Sequence, residues 1–232
     1  MQEQPNAAKK SLVTISVAML IVGGLIGFGI TKAADNSDNN STKSSMTSAV
    51  PTSATKAADL RSTLVMLGVE HMTYTDQAVD AALDGSPNAA ATSAALYANG
   101  TDLGAAVGSI YGKDAETTFN TVWKLHLDDF VKYAVAGKQG DAAAQAAALA
   151  DIDANYTKPL AQYLAKANPN LPEGTLEGLL REHVNMTAKM IDLHISGDYS
   201  GEAAELKMAN AHMEAIFSAL ASGIVKQYPA KF

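Results

Sequence analysis

The residues best suited to chemistry in this chain are three histidines placed alike in a recurring pattern. His71, His126 and His183 each stand fourteen residues before a glycine, at Gly85, Gly140 and Gly197. Neutral imidazole ligates Zn, Cu and Ni, and three histidines with a fourth position left open form a known catalytic zinc arrangement. Haem ligation is the other chemistry open to such side chains. Thioether sulfur favours Cu(I), and Met72, Met186 and Met190, with Met213 beside His212, are the additional ligands near these positions in sequence.

A structural role competes with ligation and comes first. A buried imidazole has to be hydrogen-bonded. Beyond each glycine an Ala-Asn pair occurs, and the asparagines Asn99, Asn155 and Asn210 lie 14, 15 and 13 residues past their glycines. At ~1.5 Å rise per helical residue, each histidine and its asparagine would meet at one height, about 21 Å from the turn between them. Three such pairs would make a polar layer that fixes helix register at some expense of stability.

The elements that would position these residues are helices. Six are expected, in three antiparallel hairpins repeating every 55–60 residues or so, which gives an all-α, up-down bundle over 58–232. The first helix covers about 58–84. The second opens at Ser86-Pro87 and reaches Tyr111, and the third follows Asp114 as cap to about Ala136. The fourth runs from Asp141 to Asn168-Pro169 with a kink at Pro159. The fifth spans Pro172 to Gly197, and the sixth follows Ser200 and stops before Pro229. In the odd helices the histidines occupy one apolar stripe: Leu64, Leu67, His71, Tyr74, Ala78; then Phe119, Val122, His126, Asp129, Tyr133; then Leu176, Leu179, His183, Met186, Met190. Gly100, Gly104 and Gly108 share a face of the second helix and predict a close helix contact there. His194, near a helix end, reads as partly solvated. Asp128-Asp129 and the pair Glu202/Glu205 read as solvated faces and helix N-terminal charges.

Ahead of the bundle, residues 11–31 form an uncharged run of 21 residues, about the length that spans a bilayer as a helix. Lys9 and Lys10 precede it, which puts residues 1–10 in the cytoplasm and the body outside. The alternative is a signal peptide cleaved near Ala33, giving a secreted protein. Gly23 and Gly27 have the spacing that lets two such helices pack as a homodimer. Residues 32–57, rich in Ser, Thr and Asn, read as a flexible linker.

Composition narrows the function classes. There is no cysteine, so thiolate sites and thiol catalysis are excluded. Of the net charge of −7, the first 33 residues contribute +2 (Lys9, Lys10 and Lys32 against Glu3), which leaves the rest at −9. So acidic a body is unsuited to nucleic acid. No Glu-x-x-His, His-Glu-x-x-His or Gly-x-Ser-x-Gly occurs, so the di-iron, metalloprotease and serine-hydrolase signatures are missing.

Trp123-x-x-His126 with Asp128-Asp129-Phe130-x-x-Tyr133, the turn Asn168-Pro169-Asn170-Leu171-Pro172, Glu182-His183-Val184, Ala211-His212-Met213 and the closing Tyr228-Pro229-x-Lys231-Phe232 together resemble a group of small secreted or anchored all-helical bacterial proteins. These often bear the label "copper amine oxidase". The resemblance covers the whole body and implies an all-helical fold and an extracytoplasmic location. The label's activity is not implied. Copper amine oxidases are large β-rich enzymes with an Asn-Tyr-Asp/Glu motif, and Asn155-Tyr156-Thr157 lacks the acidic residue.

The expectation from sequence is therefore a membrane-anchored, extracytoplasmic helical bundle, a non-enzymatic binding or interaction module with a protein partner in the envelope. The alternative is a copper- or haem-binding envelope protein that uses His71, His126 and His183.

Overall fold

Residues 52–232 are described by a computed structural model, and all their regular elements are helical. A 3-10 turn, Thr52–Ala54, leads into α1 (Lys56–Leu83). Then follow α2 (Ala89–Tyr111), α3 (Lys113–Gln139), α4 (Ala142–Ile152), α5 (Lys158–Ala167), α6 (Glu173–Ser196) and α7 (Tyr199–Gln227). A π turn, Asp153–Thr157, joins α4 to α5 with helical backbone on both sides, so the two continue as the single interrupted helix expected after Asp141. The run 11–31, the Gly23/Gly27 pair, the site near Ala33 and most of the linker lie outside the described residues. Among the described residues no helix is long and apolar enough to cross a membrane.

Local chemistry sets the helix ends. Gly85, Gly140 and Gly197 have φ of 66°, 71° and 78°, the left-handed conformation that favours glycine. After each, the next amide reaches back to close the helix: Ser86 to the Ala81 carbonyl, Asp141 to Ala136 and Asp198 to Leu193, at 2.8–2.9 Å. The three turns are thus the same Schellman closure, each fourteen residues past a histidine, and this puts the histidines at equal distance from the ends of α1, α3 and α6.

Several starts differ from expectation. α1 begins at Lys56, because the Thr55 side chain accepts from the Ala58 amide. Asn88 rather than Ser86 precedes α2, and Pro87 stands in the turn before the helix. Asp114 falls inside the first turn of α3, which starts directly after Gly112 (φ 94°). Asp141 caps α4 as expected, accepting from the Ala144 amide. α7 is capped by Asp198, which accepts from Gly201, so Ser200 lies within the helix.

In the packing, α1, α3 and α6 each touch the other two. α2 packs against α1 and α3, α7 against α1 and α6, and α4 against α3. The three histidine-bearing helices therefore surround one core. The glycine stripe of α2 makes the close contact read from its spacing. A Cβ on Gly100 would lie 2.7 Å from Cδ1 of Trp123, one on Gly104 1.8 Å from Oδ1 of Asn120, and one on Gly108 2.7 Å from Oε2 of Glu116. Gly100 thereby admits the Trp123 indole, which packs against two of the histidines.

Candidate metal centre

His71, His126 and His183 converge. Their ring centres are 5.6, 5.7 and 6.2 Å apart, and one nitrogen from each lies within 4.8 Å of the others. All three side chains are buried, at 0–1% exposure. Trp123 meets His71 and His126 edge-on at 4.8 and 4.7 Å, and Tyr156 stacks on His126 at 4.1 Å with 24° between the planes.

These rings have few partners. His71 Nδ1 and both nitrogens of His126 and of His183 are buried with no hydrogen bond. The neighbouring Trp123 Nε1 and Asn99 Oδ1 are also unpaired. A buried polar group without a partner costs about 1–3 kcal/mol, so this small volume holds a concentrated energetic penalty.

Burial pulls all three pKa values down. His71 falls to about 3, with the Asn99 carboxamide opposing only in part. His126 and His183 lie well below 6.5, through burial first and then through the neighbouring imidazoles, His71 for both, with His183 acting on His126 and His212 on His183; the Trp123 backbone near the His126 ring, too far for a well-formed hydrogen bond, opposes only weakly. The trio is therefore neutral at pH 7, the state in which imidazole ligates a metal.

The three asparagines do not all join it. Asn99 stands where expected, buried beside His71, with Nδ2 donating to the Leu67 carbonyl at 3.0 Å. Asn155 is exposed, and Tyr156 takes the place against His126. The cause is the π turn, whose inserted residue rotates the helix and brings Tyr156 inward. Asn210 is half-buried, and its Oδ1 is unpaired. Three His-Asn pairs are not what holds the register.

Of the supplementary ligands, Met72, Met190 and Met213 are fully buried, and Met186 is partly so. Met72 Sδ lies 3.9 Å from Oγ1 of Thr187, a residue one turn from His183. His212 is not in the trio. Its Nε2 is 2.8 Å from the Leu179 carbonyl.

A second cluster has the opposite electrostatics. His194 Nδ1 lies 2.9 Å from Asp80 and 3.1 Å from Glu202, and its Nε2 lies 3.2 Å from Asp84. It is 6% exposed, not partly solvated as expected. Burial lowers its pKa, but Asp84, Asp80 and Glu202 outweigh burial and the net shift is upward. The carboxylates favour the charged imidazole, and the cluster ties α1, α6 and α7 together; Asp80, His194 and Glu202 also lie close enough for one ion to reach all three. Glu202, Glu205 and Asp129 are likewise buried rather than solvated; Glu205 pairs with Lys189 at 2.5 Å and Asp129 with Lys132 at 2.6 Å.

The trio also lines a cavity of about 210 Å³, walled by α1, α2 and α3 and by Thr187 of α6. Its sides are largely apolar. The alanine-rich start of α2, with Ala89, Ser93 and Leu96 on the wall, leaves this space unfilled. No family model, curated protein or solved structure matches the chain.

Proposed function

We propose that the bundle is a transition-metal-binding module whose ion is held by His71, His126 and His183, with a further coordination position open toward the apolar cavity. The five unpaired ring nitrogens carry this reading. Buried polar groups in native proteins have partners, and a bound ion is one of the explanations when they do not. Zn–N bonds of about 2.0–2.1 Å in tetrahedral directions would set imidazole ring centres about 5.2 Å apart. The 5.6, 5.7 and 6.2 Å found here need only a small inward movement of the rings.

The donor set suits a bare ion better than haem. Haem iron takes protein ligands along its axis, and three nitrogens within 4.8 Å of one another leave no plane for a macrocycle. Zn, Cu and Ni all accept imidazole, and Cu(II) should bind tightest in a competition. The test is metal analysis of untagged protein after exposure to Cu(II) or Zn(II) and gel filtration. One ion per chain is expected, and less than a tenth of that for His126→Leu. Retention that the histidine substitutions leave unchanged would sink the proposal.

In the same reading the three His-centred hairpins are one repeated unit, and the module stands outside the cytoplasmic membrane on the anchor 11–31, with the following polar stretch as its tether. The uncharged run behind Lys9-Lys10 supports that placement. Protease added to intact spheroplasts should remove the body. Soluble protein beginning near Ala34 would show instead that the run is a cleaved signal.

A further inference from the structure

The cavity beside the trio has a polar floor, apolar walls and an open rim. The floor is His71, His126 and His183. The walls include Ala78, Leu127, Phe130 and Ala134. Val131 and Val135 line the side and are 57% and 50% exposed, so the space communicates with the exterior. Lys138 marks the far end, its ammonium donating to the Leu83 carbonyl.

The dimensions restrict what fits. From His126 to Lys138 along α3 is twelve residues, roughly 18 Å. About 210 Å³ over that length makes the space long and slender, shaped for an extended chain rather than a compact body. Deep inside, the polar residues on the wall are the three imidazoles, with Thr75 and Thr187 beside them.

We infer that this cavity binds a straight-chain aliphatic molecule with one oxygen head group, a carboxylate above all, the head at the imidazole floor and the alkyl body along α1, α2 and α3. The inference rests on the metal reading for the head, because neutral imidazoles alone would not hold a buried carboxylate, while a bound cation would. The body's affinity depends only on the cavity. Each buried methylene should tighten binding about fourfold until the chain end reaches the rim.

Two calorimetric series separate the parts. Acetate, butyrate, hexanoate and octanoate are titrated into Zn(II)-loaded protein. The corresponding 1-alkanols, whose neutral hydroxyl can pair with a free imidazole, are titrated into metal-free protein. The expected result is a Kd that falls about fourfold per methylene in both series, with 2-ethylhexanoate at least tenfold weaker than octanoate. Ala134→Phe, in the wall, should abolish the chain-length gain and leave zinc stoichiometry unchanged. The branched-isomer comparison needs no variant and stands even if Ala134→Phe misfolds. Flat affinities in both series overturn the slot whether or not zinc binds. A chain-length gain with alkanols in a protein that retains no zinc overturns the metal reading and leaves the slot. Zinc retained with a flat carboxylate series overturns the head's place at the ion, and equal binding of the branched acid overturns the single-chain fit.

Discussion

Saturation with Zn(II) should raise the melting temperature of the helical body by roughly 5–10 °C, and His126→Leu should lose that response. At free metal one hundred times Kd, binding to the folded state alone adds about 2.7 kcal/mol. A domain of this size gains about 2–4 °C per kcal/mol. The metal-free proteins should rank the other way. His126 is fully buried and neither of its nitrogens has a hydrogen bond. Leucine keeps most of the volume and removes two unpaired polar atoms, so His126→Leu should stabilise the metal-free fold by about 1–3 kcal/mol. A residue whose loss stabilises the empty fold and abolishes the metal response is maintained for function at the expense of stability. Thermal melts of both proteins with chelator and with zinc check both signs. Destabilisation of metal-free protein by His126→Leu would mark the ring as a packing element, and absence of a zinc response in the wild type would remove the site.

The equal height of the trio was legible because it depends on two local rules only; that the three rings converge was not, since it depends on how the helices pack. Helix rise is constant, and the left-handed glycine that ends a helix has a strong sequence signature, so equal His-to-Gly spacings at 71/85, 126/140 and 183/197 become equal heights. The asparagine arithmetic used the same rise and failed at Asn155. Pro159 has no amide to donate, and its ring crowds the carbonyl four residues back. The chain relieves this in the π turn Asp153–Thr157, which shifts the phase and exchanges Asn155 for Tyr156. That Pro159 would disturb the helix was visible in sequence; the π turn and the change of phase it brings were not.

Charged residues were misplaced for another reason. Read one helix at a time, Glu202, Glu205 and His194 are surface residues. Their partners are contributed by other helices: Asp80 of α1 and Asp84, which caps it, surround His194, and Lys189 of α6 meets Glu205. Burial of an ion is set by partners in space, which periodicity does not encode. The cavity was hidden likewise, since a run of alanines reads as close packing and opens space only where its neighbours fail to fill in.

Acid should unfold the metal-free protein steeply, and the trio should account for the steepness. The folded pKa of His71 is about 3 and those of His126 and His183 are well below 6.5, while in the unfolded chain all three would titrate near 6.5. Below pH 6.5 the unfolded chain therefore binds more protons, and stability falls as pH drops until the folded values are reached. Each histidine contributes about 1.4 kcal/mol per pH unit in that window, so the trio together contributes about 4 kcal/mol per unit. Asp76 and Asp80 act in the opposite sense. Burial first, then Asp80 for Asp76 and Glu202 for Asp80, raises both to about 6, so the folded state takes up their protons as pH falls from 6 toward 4. Both are partly exposed, and solvent screening reduces their share. His194, whose pKa is raised, adds stability on the acid side that is lost only as pH rises through its folded value. The trio should prevail, and a domain with 5–15 kcal/mol of stability should unfold within a unit or two below pH 6. Urea unfolding with chelator at pH 7, 6 and 5 measures the slope. His183→Leu should reduce the trio's part by about a third, and the three leucines together should leave only the weak opposing slope of the carboxylates. An acid slope unchanged in the triple variant would show that the imidazoles are not the groups that take up the protons.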